Sequence, residues 1–352
     1  EEFLDRLRLF GQESLFLIGT RILSGTVAAQ QASGAFADVA EGIVDTVHGL
    51  VREQFAAQYG RIKDQETAIV AMGRLGSREM TASSDLDLIL IYDFDHDEPE
   101  SDGARSLHGS QYFARFTQRL ISAFTTRTNY GVLYDVDMRL RPSGRAGPVA
   151  SRLDAFADYQ ETEAWTWEHM ALTRARVISA SPAFRGRIEA IIRAVLTRPR
   201  DAAITASDVA EMRRAIAQEK GEDDVWDLKY AAGGLVDIEF ITQYLQLVHA
   251  STMPDILGTG TVQVIDNAAR LGVLAAADAA ILRPAARLYH DLTQVLRLCV
   301  STAFKPEQAG DDLLRVLARA GDAPNFSALQ AHVRETQAEV RELFRRIVEG
   351  EG

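Results

Sequence analysis

Two aspartates, Asp85 and Asp87, interrupt the apolar stretch "DLDLILIYDF" (85–94). Residues two apart on a strand point to the same face, so the two carboxylates should project together while Leu86 and Leu88 face the other side. Crowded carboxylates repel each other and take up protons more readily unless a cation lies between them. The pair therefore predicts a divalent metal site, and its oxygen ligands favour Mg²⁺ or Mn²⁺.

A second alternating segment, "VLYDVDMRLRP" (132–142), predicts a strand that stops at a proline. Its charged residues Asp135, Asp137, Arg139 and Arg141 share one face of that strand. If the two strands are neighbours, either Asp135 or Asp137 completes a triad of acids, and the arginines suit phosphate oxygens. Three acids with two metal ions about 3.5 to 4 Å apart form the clamp used for in-line displacement at phosphorus.

A short turn with glycine and serine precedes the first of these acids. Gly76 and Ser77 are followed by seven residues and then by Asp85. We expect backbone N–H groups and the hydroxyl of this turn to hold a triphosphate. The sequence lacks the P-loop pattern G-x-x-x-x-G-K-[ST], and "GTG" at 258–260 lacks the rest of a dinucleotide fingerprint.

The elements that position these residues follow from hydrophobic periodicity. Residues 1 to about 60 have apolar and charged positions at helical spacing and predict two or more leading helices. Segments 67–73 and 85–94 are short, apolar and bounded by Gly and Ser, so each predicts a strand. Segment 112–124 has helical periodicity.

The rest of the chain predicts helix almost throughout. From about residue 151 onward the pattern is helical, including "ALTRARV" at 171–177. The sequence therefore predicts an α+β fold in three parts. These are a leading helical segment at 1–62, a small sheet domain with the catalytic residues at 63–180, and a helical bundle at 181–352.

Composition excludes several function classes. A net charge of -12 argues against a general nucleic-acid binder, because that affinity comes largely from Lys and Arg. The single cysteine, Cys299, allows no intrachain disulfide, and its apolar surroundings predict a buried packing thiol in a reducing compartment. We find neither a membrane span nor a signal peptide, and the absence of Met at position 1 suggests a piece of a longer protein.

Taken together, the motifs resemble a known superfamily. "LGS", a seven-residue spacer, "DLDL" and a later strand with acids and arginines are similar to the nucleotidyltransferases of the DNA polymerase β type. The resemblance implies that the sheet domain has the small polymerase-β-like nucleotidyltransferase fold. It also supports Asp85, Asp87 and Asp137 as catalytic metal ligands, with Gly76, Ser77 and Arg139 binding the nucleotide.

Longer strings resemble one family within that superfamily. "GRLGSREMTASSDLDLILIYD", "VLYDVDMRLRPSGRAGPVASRLDAFADYQ", "EAWTWEHMALTRARVI" and "GGLVDIEFITQYLQL" are similar to the bacterial glutamine synthetase adenylyltransferases. That family has two related nucleotidyltransferase halves, and "EAWTWEHMALTRAR" resembles the adenylylating one. Ser77 stands where many relatives have a second glycine, a change that the superfamily tolerates.

The resemblance implies an activity and partners. It implies transfer of AMP from ATP to a tyrosine hydroxyl of glutamine synthetase, in the cytoplasm, with the PII signal protein and glutamine as regulators. Asp137 would also help to remove the tyrosine proton, since a phenol with a pKa near 10 needs activation at neutral pH. Three alternatives remain open: phosphorolytic removal of the same AMP, a non-catalytic module that binds PII or glutamine, and a small nucleotidyltransferase for another substrate.

Further polar residues are weaker candidates. Trp165, Glu168 and Arg176 lie at helical spacing, which predicts packing for the tryptophans and a buried ion pair for Glu168. Asp237 and Glu239 follow two glycines at a helix start, where they diverge, so only one is kept as a contact to ribose, base or the site. The complete set of possible site residues is Asp135, Arg141, Glu168, Arg174, Arg176, Asp237 and Glu239.

Overall fold

A computed structural model describes residues 2–350 of the chain, apart from the side chain of Ala29. These residues form two compact units. The first, called here the sheet unit, comprises the described residues of Glu1–Phe16, Phe36–Arg78 and Ser84–Val195. The second, the helical unit, comprises those of Leu17–Ala35, Glu79–Ser83 and Leu196–Gly352. The predicted domain boundaries at 62/63 and 180/181 stay a prediction, because compact packing is not a test of independent folding.

The sheet lies in the sheet unit and is mixed. Its strands are β1 (Glu66–Ala71), β2 (Leu86–Asp93), β3 (Val136–Asp137), β4 (Ser151–Arg152) and β5 (Arg176–Ser179). The strand order is β3-β2-β1-β5, and β4 also pairs with β2. β1 is antiparallel to both β2 and β5, whereas β2 is parallel to β3 and to β4.

Seven helices within the described residues precede, connect or follow these strands along the chain. In chain order they are α1 (Glu2–Ser24), α2 (Ala29–Tyr59), α3 (Gly73–Gly76), α4 (Gly109–Thr125), α5 (Leu153–Thr162), α6 (Thr166–Leu172) and α7 (Pro182–Leu196). Ile69 and Leu90 of the central strands are buried, as are Phe116 and Leu120 of α4. The continuous apolar runs of β1 and β2 suit strands that are buried on both faces.

The helical unit contains the remaining long helices. They are α8 (Ala202–Lys220), α9 (Leu235–His249), α10 (Thr261–Arg270), α11 (Ala276–Cys299), α12 (Asp311–Ala320) and α13 (Phe326–Phe344). Short 3-10 turns lie at Pro254–Ile256 and Pro306–Gln308, and a π-helical turn at Arg345–Glu349 follows α13. The predicted α+β class is therefore confirmed, with leading helices, a small sheet and a long helical segment after it.

The predicted strand at 132–142 is wrong in its length. Only Val136 and Asp137 form a strand, and chain reversal starts immediately afterwards. The Asp137 carboxylate accepts a hydrogen bond from the backbone N–H of Arg139 at 2.8 Å, and the N–H of Arg141 donates to the Met138 carbonyl at 3.3 Å. An aspartate that bonds the backbone two residues on favours a turn and competes with the strand ladder.

The predicted helix over 171–177 is also wrong at its end. Helix α6 stops at Leu172, and Arg176–Ser179 instead forms β5 beside β1. Val177 and Ser179 are buried in this strand, and β1 offers a free edge that the β-branched pair Val177 and Ile178 suits. Tertiary pairing thus overrides a short helical pattern.

Two composition-based expectations have different outcomes. Cys299 is exposed at the end of α11, so the prediction of a buried packing thiol is wrong. The apolar residues near Cys299 lie on other faces of this helix, and those faces pack against the core. None of the helices within residues 2–350 combines the length and apolar composition that a bilayer crossing requires.

Candidate active site

Three carboxylates converge at the edge of the sheet where β2 begins. Asp85 immediately precedes β2, and Asp87 lies in it opposite Asp137 of β3. Each of the three acids has an oxygen within 4.8 Å of an oxygen of the others. Asp85 is exposed, while Asp87 and Asp137 are partly buried. The parallel register, with the backbone N–H of Leu86 donating to the Asp135 carbonyl at 2.9 Å, brings these side chains together.

The position of Asp87 depends on a glycine that follows β1. Gly73 has a φ of +51°, and a Cβ built there would overlap the Asp87 carboxylate. The backbone N–H of Met72 donates to the Asp87 carbonyl at 2.9 Å, which holds the end of β1 beside β2. The sequence reasoning missed Gly73, although a glycine directly after a predicted strand is a signal for close approach of the backbone to another group.

Arg139 supplies positive charge to this acidic cluster. Its Nε donates to Asp137 Oδ2 at 2.6 Å, and a second nitrogen of the guanidinium pairs with the same oxygen. Partial burial would raise the pKa of Asp137, but the hydrogen bonds and charge of Arg139 outweigh it and hold that pKa below its ordinary value. The pKa of Arg139 is raised in turn, first by its hydrogen bond to Asp137 and further by Asp87 and Asp85.

The predicted phosphate-binding turn forms the short helix α3. The N–H of Gly76 donates to the Met72 carbonyl at 2.9 Å and the N–H of Ser77 donates to the Gly73 carbonyl at 3.1 Å. These two backbone donors are used inside the turn, and nucleotide binding by Gly76 and Ser77 stays a prediction. Ser77 is buried, with its hydroxyl 3.4 Å from the Arg74 carbonyl.

The remaining polar residues of the predicted strand do not join the cluster. Asp135 is exposed and lies outside the group of three carboxylates. Arg141 donates to the carbonyls of Met138 at 2.7 Å, Pro148 at 2.9 Å and Gly147 at 3.4 Å. Its guanidinium therefore closes the loop after β3, and the alternatives of phosphate binding or pairing with the acids are not what the structure shows.

Arg176 and Arg174 lie on the far side of α3. Arg176 donates to the carbonyls of Leu75 and Gly76 and pairs with Glu41 of α2. Arg174 is buried, and its carbonyl lies so close to Gly76 that a Cβ there would overlap it. Arg176 thus contacts the predicted nucleotide-binding turn and not the acids.

Glu168 caps helix α6. Its carboxylate accepts bonds from the Trp165 N–H at 2.9 Å and from the Tyr159 hydroxyl at 2.8 Å, so the predicted ion pair is replaced by two neutral donors. Trp165 is 70% exposed and Trp167 is 39% exposed, which contradicts the predicted packing stripe. The reason is that Trp165 is the cap residue and only the other side of this short helix faces the core.

Asp237 and Glu239 belong to the helical unit and diverge as predicted. Asp237 is fully buried at the start of α9, where it pairs with Arg213 and accepts the Gly233 N–H at 2.6 Å. A carboxylate with these partners holds the helix start together and has no free face for a ligand. Glu239 is partly exposed on the same helix.

Comparison with known proteins assigns the chain that carries this site to a family. The family model for glutamate-ammonia ligase adenylyltransferase matches residues 1–191, which include all three acids of the cluster. The chain belongs to this family. A second model, for GlnD PII-uridylyltransferase, matches residues 208–348.

Curated relatives agree with the family assignment. Three of them carry the name bifunctional glutamine synthetase adenylyltransferase/adenylyl-removing enzyme. They come from Rhodopseudomonas palustris strain HaA2, 83% identical over 100% of this chain, Bradyrhizobium sp. strain BTAi1, 78% over 99%, and Xanthobacter autotrophicus strain Py2, 56% over 99%. The chain spans only 36%, 35% and 35% of those relatives' own lengths.

Proposed function

We propose that this chain transfers AMP from ATP to a tyrosine hydroxyl of glutamine synthetase and releases pyrophosphate. The observation that carries the proposal is the convergence of Asp85, Asp87 and Asp137 in a member of this adenylyltransferase family. The names of the relatives support glutamine synthetase as the protein substrate. The resemblance of "EAWTWEHMALTRAR" to the adenylylating half favours addition of AMP.

The acid cluster fits divalent metal ions. Its three carboxylates offer hard oxygen ligands close together, which suits Mg²⁺ or Mn²⁺, and the exposed Asp85 leaves the site open to a nucleotide. Bound there, two such ions would stabilise negative charge on the phosphate oxygens and on the departing pyrophosphate. Asp85 and Asp87 would contact both ions, and Asp137 would complete the site nearer the acceptor.

The chain's own residues would then accept the proton of the attacking tyrosine and bind the phosphate oxygens. The tyrosine oxygen attacks the α-phosphorus, the bond from that phosphorus to the bridging oxygen breaks, and pyrophosphate leaves with the electron pair. The phenolic proton passes to the Asp137 carboxylate, which Arg139 keeps ionised at neutral pH against the opposing effect of partial burial. Arg139 is 64% exposed, so its side chain has room to move from Asp137 to a phosphate oxygen when ATP arrives.

Regulators form a further part of the proposal. The match of residues 208–348 to a PII-uridylyltransferase model supports the PII signal protein as a partner. Glutamine as an effector follows from the family resemblance only. We propose that both act on the longer protein of which the relatives are examples.

Removal of AMP is the second candidate function. The relatives' names include an adenylyl-removing activity, and a phosphorolytic reaction would use the same kind of acid cluster. In that reaction phosphate attacks the AMP phosphorus, the bond to the tyrosine oxygen breaks, and ADP leaves. The acids alone do not discriminate between the two directions.

One experiment separates the two functions. ATP labelled at the α-phosphate is incubated with purified glutamine synthetase, the protein and Mg²⁺ or Mn²⁺, and label on tyrosine is counted. We expect label to accumulate on the synthetase. In parallel, pre-labelled synthetase is incubated with phosphate, where release of labelled ADP without any forward labelling would reject the proposal in favour of removal.

A further inference from the structure

The turn predicted to hold the nucleotide is supported from behind by one arginine. Arg176 Nε donates to the Gly76 carbonyl at 3.1 Å, and Nη2 donates to the Leu75 carbonyl at 3.0 Å. These are the last carbonyls of α3, and the Leu75 carbonyl also accepts the backbone N–H of Arg78 at 3.2 Å. The guanidinium therefore fixes the end of α3 from which Ser77 leaves.

Glu41 of α2 fixes this arginine. Its carboxylate accepts Nη1 of Arg176 at 3.0 Å and Nη2 at 2.6 Å, a two-bond fork that defines both distance and plane. The side chains of Arg176 and Glu41 are 25% and 22% exposed, so the pair is better shielded from water than a surface ion pair. Arg78 also donates to Glu41, at 2.9 Å, and pairs with Asp38 at 2.6 Å, while its backbone N–H donates to the Leu75 carbonyl at 3.2 Å.

The other sides of α3 leave it little freedom. A Cβ at Gly73 would overlap the Asp87 carboxylate, and a Cβ at Gly76 would overlap the Arg174 carbonyl and lie 2.8 Å from the Ala71 carbonyl. The turn is thus in close contact with a predicted metal ligand at its start and with the chain leading into β5 at its end. Arg176 therefore supports a turn whose start lies directly against a predicted metal ligand.

We propose that Arg176, held by Glu41, is a positioning residue that sets the place of α3 beside the acid cluster and thereby the affinity for the nucleotide. The residue acts through the turn and touches neither substrate nor metal. The inference rests on the proposed function for the identity of the nucleotide. Lysine can replace arginine only in part here, because an ammonium lacks the planar fork that serves a carboxylate and two carbonyls at once.

The test compares Arg176→Gln with Arg78→Gln. Both variants lose a bond to Glu41, and Arg176→Gln also loses its side-chain bonds to the Leu75 and Gly76 carbonyls, whereas Arg78→Gln keeps the backbone N–H that donates to Leu75. The dissociation constant of ATP is measured with Mg²⁺ in the absence of glutamine synthetase, on the longest natural chain that contains residues 1–352. We expect about tenfold weaker binding for Arg176→Gln, a smaller loss for Arg176→Lys and an affinity within about twofold of wild type for Arg78→Gln.

A second readout separates positioning from plain stability. The KM for glutamine synthetase should stay unchanged in Arg176→Gln while the KM for ATP rises, because the proposal assigns α3 to the nucleotide and not to the acceptor. Equal ATP affinity in Arg176→Gln and wild type, or an equal loss in Arg78→Gln, would overturn the inference. If Arg176→Gln does not fold, Arg176→Lys is judged by the same criteria.

The test of the positioning role can fail or succeed independently of the test of AMP transfer. A wild-type protein that binds ATP but never labels glutamine synthetase would refute AMP transfer. Weaker ATP binding in Arg176→Gln would still support the positioning role in that case. If the wild type transfers AMP but Arg176→Gln binds ATP as tightly as the wild type, the proposed function is supported and the positioning role of Arg176 is refuted.

Discussion

At the scale of single residues, spacing and register account for the acid cluster. Asp85 and Asp87 share a strand face because they are two apart, and Asp137 lies directly opposite Asp87 in a parallel pair. Arg139 offsets part of the repulsion among the three carboxylates. Gly73 lies beside them, and because it has no side chain it leaves room for the Asp87 carboxylate.

Gly73→Ala should therefore damage both stability and activity. A Cβ at this positive φ would strain the backbone by about 1 to 3 kcal/mol, and its overlap with the Asp87 carboxylate would displace a predicted metal ligand. We expect a lower urea midpoint and weaker metal-dependent AMP transfer. Gly186→Ala in α7 is the matched control, because a Cβ there meets nothing within 4 Å. Wild-type behaviour of Gly73→Ala would show that α3 moves freely relative to Asp87.

At the scale of elements, a buried histidine connects α2 to the sheet. The Ser179 hydroxyl donates to Asp45, so Nδ1–H of His48 must donate to Ser179 at 2.8 Å and the bare Nε2 accepts the Thr67 hydroxyl at 2.9 Å. Burial, followed by the charge of Arg52, lowers the pKa of His48 to about 4 although Asp45 opposes the shift. Protonation would place a second donor against Thr67.

This histidine predicts a pH dependence of stability. Because the folded pKa of about 4 lies below the ordinary histidine pKa of 6.5, the unfolded state binds more protons between those values. The contribution of neutral His48 is complete above pH 6.5 and is lost as pH falls to about 4, amounting to about 3 kcal/mol. Urea unfolding at several pH values should show this slope in wild type and a shallower one in His48→Gln. The exposed His108→Gln is the control, and equal slopes in all three proteins would contradict the assignment.

The sequence predicted some of these elements better than others. β1, β2 and α4 have long apolar patterns, so their existence and approximate ends could be read from periodicity. β5 and the short β3 could not, because each depends on pairing with a distant strand or on a side-chain bond to the turn after it. For the same reason the sequence indicated the acids but not the contacts of Arg176, which join α2, α3 and β5.

At the scale of the whole molecule, the helical unit contains its own buried ion pair. Arg213 and Asp237 are both almost completely buried, and Arg213 also contacts Glu222 at 3.2 Å. A buried pair of this kind becomes costly when one partner is removed, because the other charge remains without compensation. The resemblance had suggested a ligand role for Asp237, whereas its contacts support a structural one.

Asp237→Asn should thus lower stability and leave nucleotide binding intact. We expect a loss of about 3 to 5 kcal/mol, since the Arg213 charge stays buried without its carboxylate. Asp266→Asn is the matched control, because its pair with Arg283 is half exposed and should contribute less than about 1 kcal/mol. Urea unfolding and ATP affinity below the transition provide the two readouts. Weaker ATP binding with unchanged stability would restore the ligand role.

The cluster of three acids is proposed to perform the nucleotidyl transfer. The decisive measurement is the rate of AMP transfer to glutamine synthetase, titrated with Mg²⁺, for Asp87→Asn and Asp135→Asn. These aspartates lie close together, but Asp135 is exposed and outside the cluster. We predict a loss of about 100-fold or more for Asp87→Asn even at saturating metal, and a change within about threefold for Asp135→Asn. A wild-type rate in Asp87→Asn, or an equal loss in both variants, would contradict the account.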